Sequence, residues 1–227
     1  MFKSKKYIKT SEFVMQDAIE FLQERNVGEE YIDVLRGKLN KEISKMLYEQ
    51  KEKRDKRTPL QYGQDLMYSK AKEIFMQEYF KLVWNRTYNF NGGEGDKPFS
   101  LKNDEITSDP DWISEGGVLI EYAYSQTEYW KNTGKADFRQ NKLPHLLELS
   151  EINDCRILMV DMSIDSYKFI RITPDTKITF EPYIPAYGKY GYSMKVDTST
   201  FTKIDRELYL KLKKATNYKI NINSENN

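Results

Sequence analysis

The sequence is nearly without cysteine and histidine. Cys155 is the single cysteine and His145 the single histidine among 227 residues. One cysteine makes no intrachain disulfide, which suits a reducing interior. With one of each, zinc sites and histidine-based catalytic triads are excluded. No apolar run approaches the roughly 20 residues that span a bilayer. The N-terminal lysines precede no apolar segment of the kind a signal peptide carries. The expectation is a cytoplasmic protein without a membrane partner. Internal repeats and low-complexity tracts are also lacking.

What is present is a chain able to build a core. Hydrophobic residues make up 39% and aromatics 14%, too many for a disordered composition. Charged residues reach 31%, with 36 basic against 35 acidic. That balance does not announce nucleic-acid binding, which depends on where the charges sit. The basic residues cluster at Lys3–Lys9, at Lys51–Arg57 and at Lys211–Lys219. Each run, taken alone, reads first as a solvated face.

Periodicity predicts two N-terminal helices, over 11–26 and 29–57, forming a helical extension over 1–57. Thr58 and Pro59 give a start signal for a third helix that runs to about Trp84. Met67, Ala71, Ile74, Phe75, Glu78 and Leu82 share its inner face. Glu78 is the odd member, since a carboxylate in an apolar stripe requires a partner. Alternation then predicts strands over 86–91, 108–113 and 118–124, the last two joined by a tight turn at Glu115, Gly116 and Gly117. Residues 125–137 read as irregular, 138–150 as a helix, 156–161 and 167–172 as paired strands. More strand follows at 178–180 and 192–196, then a closing helix over 205–215 and a frayed end. The order from Thr58 is helix, strand, strand, strand, helix, strand, which places a mixed sheet between helices in an α/β domain over 58–227.

Asp111 and Glu121 stand ten positions apart, on either side of the turn. A hairpin of that shape folds Glu121 back beside Asp111. Paired carboxylates repel unless a cation sits between them, and oxygen donors of this kind suit Mg²⁺ or Mn²⁺. Glu121 also interrupts an otherwise apolar strand, Val118-Leu119-Ile120 and Tyr122-Ala123. The bland reading makes it the outward residue of an edge strand.

Ser108-Asp109-Pro110-Asp111, followed by Gly117-Val118-Leu119-Ile120-Glu121, resembles the PD-(D/E)XK nuclease superfamily, which includes restriction enzymes, Holliday-junction resolvases and many phage nucleases. The resemblance spans roughly residues 58–162. It implies a restriction-endonuclease-like core and a Mg²⁺- or Mn²⁺-dependent deoxyribonuclease, in which Asp111 and Glu121 hold the metal and Glu78 adds a carboxylate from the first helix. The family's lysine two residues after the second acid is replaced here by Ala123. Some members supply it from the following helix, and Lys142 matches that arrangement best, with Lys135 and Lys131 behind it. DNA is the implied partner, and a second copy of the chain is a further candidate. Without a lysine at the site, the chain is a catalytically inactive DNA-binding or protein-interaction module.

Gln126 and Gln140 are candidates to position a phosphate, against a simpler reading as surface amides. His145, in a leucine-rich helix, reads as a core or supporting residue rather than a catalyst. The glycine-rich stretch 91–95 lacks the ending of a nucleotide loop. Tyr122, Tyr124, Tyr129 and Trp130 serve either core packing or base stacking. Tyr183, Tyr187, Tyr190 and Tyr192, set among Pro and Gly, read as an ordered loop with a recognition or dimer surface.

Overall fold

The computed structural model describes Gln23, residues 72–73, 75–91, 109–186 and 188–225, with side chains to residue 216. The helices expected over 11–26 and 29–57 and the glycine-rich loop lie outside the described residues, Gln23 and Asn91 apart. The chain divides into two units. One combines residues 1–87, 98–105 and 206–227. The other combines 88–97 and 106–205, and holds all the strands among the described residues.

In the first unit, helix α1 covers residues 75–84 and helix α4 covers Arg206–Glu225. Phe75, Met76, Tyr79 and Phe80 of α1 are buried. Phe75 and Tyr79 meet Tyr209 of α4 with ring centroids 5.3 and 6.2 Å apart, within the range where aromatic pairs add to area burial. The closing helix continues ten residues beyond the expected end, to Glu225 within the end read as frayed.

The second unit is mixed α/β, with two sheets. The larger has six strands in the order β1 (Tyr88–Phe90), β2 (Trp112–Ser114), β3 (Leu119–Ser125), β5 (Cys155–Asp161), β6 (Ser166–Ile172) and β9 (Thr202–Lys203). Only β3 and β5 run parallel; the other pairs are antiparallel. The smaller sheet orders β4 (Lys135–Arg139), β8 (Lys189–Lys195) and β7 (Thr179–Ile184). Parallel strands need a crossover. Here it carries helix α2 (Tyr129–Thr133), β4 and helix α3 (Lys142–Leu149).

That crossover corrects the reading of residues 125–150. The segment 125–137 is not irregular, and the helix does not begin at 138. Lys135–Arg139 is a strand, because Ala136 and Phe138 alternate inward and find β8 as partner. Pro144 sits in the first turn of α3, where its missing N–H is not needed. The tyrosine-rich region read as a loop is the β7–β8 hairpin.

The core of this unit lies between one face of the large sheet (Cys155, Ile157, Met159), α3 (Leu143, Leu146) and the small sheet (Ala136, Phe138, Met194). Burying each large apolar side chain contributes about 1.5–3 kcal/mol. Cys155 is a buried core thiol, pushed up from its ordinary pKa by burial and then by the charge of Asp154.

Gly191 marks the tightest approach between strands. It pairs with Arg139 on one side and Glu181 on the other. A Cβ there would stand 2.2 Å from the Phe138 carbonyl oxygen and 2.5 Å from Ile184 Cδ1. Gly191→Ala is therefore expected to destabilise by about 1–3 kcal/mol, because backbone must move. Gly116→Ala, with its nearest neighbour at 3.9 Å, is the control. Urea unfolding midpoints check the pair, and equal midpoints would refute the packing account.

Asp154, just before β5, is bound by Arg156 at 2.7 Å and approached by Arg171 at 3.5 Å. The hydrogen bond from Arg156 is the main reason its carboxyl lies below the usual range. A depressed carboxylate stabilises above its unfolded pKa, and that contribution fades as pH falls through the folded value. The groups are about one-third exposed, so screening limits the effect to about 0.5 kcal/mol. Thermal unfolding of wild type and Asp154→Asn should differ at pH 7, and the difference should shrink as pH falls below the ordinary carboxylate range.

Candidate functional site

The β2–β3 hairpin builds the site. Its turn closes with Gly117 N–H donating to the Ser114 carbonyl at 2.9 Å and Ser114 N–H donating to Val118 at 3.0 Å. Gly117 takes a φ of 77°, which glycine adopts without strain. The register then pairs Ile113 with Leu119 and Trp112 with Ile120. Extended by one step, it sets Asp111 opposite Glu121. Directly opposed residues of an antiparallel pair share a face, so both carboxylates project from the same side.

Each position is held from behind. The Asp111 carbonyl accepts from Asn91 N–H at 2.8 Å, and Asn91 Nδ2 donates to the Pro110 carbonyl at 3.1 Å. Asp111 Oδ2 accepts from the Tyr122 N–H at 2.8 Å. That bond crosses the hairpin and fixes the carboxylate next to Glu121. Beneath them Trp112 is fully buried and stacks on Tyr122, with centroids 5.3 Å apart.

Glu121 is 5% exposed. It is no outward residue of an edge strand, since β3 lies between β2 and β5. Burial, and then the charge and hydrogen bonding of Asp111, raise its pKa well above the ordinary carboxylate value; Lys142 opposes that rise. Lys142, the first residue of α3, brings its Nζ to 2.9 Å from Glu121 Oε2. The same ammonium donates to the Asp109 carbonyl at 3.0 Å. Burial works to lower the Lys142 pKa, but the charges of Glu121 and Asp111 outweigh it and the net direction is upward.

Of the residues singled out in the sequence, Asp111, Glu121 and Lys142 come together. Lys135 does not join them: it stands at the start of β4 and pairs with Glu181 at 2.9 Å. Lys131 pairs with Glu128 on α2 at 3.0 Å. Glu78 belongs to the other unit, where Lys213 lies 3.7 Å away. His145 is partly exposed, 3.7 Å from both Asp109 and Glu148. Gln126 is exposed. Gln140 bends the chain between β4 and α3 with a φ of 47°.

Sequence reasoning missed the supports that act through main chain: Asn91, the Asp109 carbonyl and the Tyr122 N–H. The last two have no side-chain signal, and Asn91 acts through its N–H as well as its side-chain amide. It also passed over Asp161, fully buried at the end of β5. Asp161 aligns with Ser125 on β3 and Ser166 on β6 and accepts from Ser163 Oγ at 2.6 Å.

Comparison of the chain with protein-family models, curated proteins and solved structures finds no match.

Among the described residues, no group of three or more His, Cys, Asp and Glu gathers as a metal cage. The donor set is therefore two carboxylates. That fits Mg²⁺, which keeps several waters and binds through one or two carboxylates plus substrate phosphate. Burial first and then the neighbouring Asp111 charge raise the Glu121 pKa, and the Asp111 contribution is the one that marks concentrated negative charge here.

Proposed function

We propose that the chain is a metal-dependent nuclease that hydrolyses phosphodiester bonds in DNA, with a core of the PD-(D/E)XK type. What carries this reading is one juxtaposition. Two carboxylates abut on opposed strand positions, with a lysine ammonium 2.9 Å from the more buried one. Asp111 and Glu121 would hold Mg²⁺ or Mn²⁺. When bound, such an ion polarises the phosphodiester and lowers the pKa of a water.

The chain's own residues supply the rest. The Tyr122 N–H and Asn91 keep Asp111 from swinging away from Glu121. Lys142 holds a positive charge where negative charge accumulates on the attacked phosphate, and from there it also orients the attacking water. The Asp109 carbonyl fixes the direction of its ammonium. In this arrangement Lys142 takes the part left open at Ala123.

One observation favours a second reading, a nuclease-like module that binds without cutting. Lys142 stands 2.9 Å from Glu121 Oε2 and gives that carboxylate a counter-charge from the chain itself. Calorimetry with Mn²⁺ separates the two, because an inert module has no need of the ion.

The test is cleavage of supercoiled plasmid, linear duplex and branched DNA by the purified full chain. Cutting is expected with Mg²⁺ or Mn²⁺ and none with a chelator. Cutting that persists without divalent ions would sink the proposal.

A further inference from the structure

The β7–β8 hairpin carries aromatic rings that the core does not use. Phe180 is 55% exposed, Tyr183 61% and Tyr190 41%. Exposed large rings at this density mark a binding surface more often than chance. Phe180 lies opposite Tyr192, and Tyr192 opposite Phe138. The three share one face of the small sheet, graded from buried Phe138 to partly buried Tyr192 to exposed Phe180. Strand β7 is the sheet's edge, so the row ends in the open.

The rings are held in place. Phe180 meets Tyr192 edge-on at 5.5 Å and Tyr190 at 6.0 Å. The hairpin beneath them is clamped by Glu181, which accepts from Lys135 at 2.9 Å and from Ser193 at 2.7 Å. Gly191 packs it tightly on β4. A planar ligand therefore meets rings already ordered, which removes part of the entropic cost of binding.

The hairpin also reaches the candidate site. The Tyr190 carbonyl accepts from Gln140 N–H at 3.1 Å. Gln140 is two residues before Lys142, and Arg139 pairs with Gly191. Lys189 and Lys195 alternate with Tyr190 and Tyr192 along β8 and project from the sheet's other face. The occupant of the aromatic face follows instead from its hydrogen-bonded link to the candidate site, whose substrate under the nuclease reading is DNA.

We infer that Phe180, Tyr183 and Tyr190 form a stacking platform for unpaired bases, leading a single-stranded DNA segment to Asp111, Glu121 and Lys142. The inference rests on the nuclease reading and narrows its substrate class to DNA with an unpaired strand, such as forks and flaps. Every base offers a π-face, so such a platform binds without sequence preference.

The test is fluorescence anisotropy with the full chain in EDTA, so that binding is read without cleavage. The probes are a labelled single-stranded oligonucleotide and the matching blunt duplex. The double variant Phe180→Ala, Tyr190→Ala should lose about tenfold or more in affinity for the single strand and less than about twofold for the duplex. Phe180→Trp should retain single-strand binding, since it keeps the stacking face. Equal losses on both probes, or no loss on either, overturns the platform. So does a parent protein that binds no single strand. A double variant that changes oligomeric state by light scattering, without a selective loss, would assign the face to a second copy. Selective single-strand binding by a chain that never cuts with Mg²⁺ would end the nuclease reading and leave the platform standing.

Discussion

Asp111→Asn and Glu121→Gln are each expected to lower Mg²⁺-dependent cleavage on the order of 10³-fold, at the upper end of what losing one charged stabiliser costs. Both changes keep shape and remove one negative charge. Asn at 111 retains an oxygen for the Tyr122 N–H, which Asp111 Oδ2 accepts at 2.8 Å, so the hairpin should keep its register. Glu121 is buried against Asp111 with its pKa raised by that burial and that neighbour. Neutralising Asp111 relieves repulsion and leaves Lys142 paired with Glu121, so the thermal midpoint of Asp111→Asn should hold or rise while activity collapses. That opposition separates a functional loss from unfolding. Cleavage at the parental rate by either variant would remove both residues from the chemistry. Calorimetry with Mn²⁺ should show the same variants losing most of their metal affinity.

Lys142→Ala should behave differently. Cleavage should fall roughly 10²- to 10³-fold, but Mn²⁺ should bind at least as tightly as in the parent. The ammonium sits 2.9 Å from Glu121 Oε2, where it competes with any ion for that oxygen. Its removal leaves buried Glu121 beside partly exposed Asp111 without a counter-charge, so metal-free protein should be destabilised by about 3 kcal/mol. Saturating Mg²⁺ should return part of that stability, because a ligand that binds only the native state raises its apparent stability. Chemical denaturation with and without Mg²⁺ reads the difference directly. Unchanged stability together with unchanged cutting would mean that Lys142 is only a surface lysine resting on the site.

The carboxylate pair was legible in the sequence because it is local. A two-glycine turn and alternating side chains determine which residues oppose each other, and ten positions suffice to see it. Lys142 was legible only through the resemblance, since nothing in its neighbours points to β3. The crossover was misread for a related reason. Lys135–Arg139 reads as the end of an irregular stretch and the start of a helix until β8 is beside it, and the pairing of Phe138 with Tyr192 spans more than fifty residues. The same holds for the tyrosine-rich stretch. Pro182, Pro185, Gly188 and Gly191 suggest a loop, yet the chain forms a hairpin with an irregularity between Glu181 and Ile184. Long-range pairing overrode local preference. Lys135 was a fair candidate by spacing alone, but Glu181, also distant in sequence, claims it.

The parallel pairing of β3 with β5 has a consequence for how the molecule comes together. Leu119 and Cys155 are register partners across the whole crossover. The hairpin that brings the two acids together needs only neighbouring residues and can close quickly, whereas the segment that delivers the ammonium must wait for a large loop to close. The two like charges are thus local to each other in sequence, while their counter-charge arrives with the crossover. Assembly of the pocket and completion of the domain become a single late event, so a nascent or partly opened chain would hold both acids yet lack the lysine beside them.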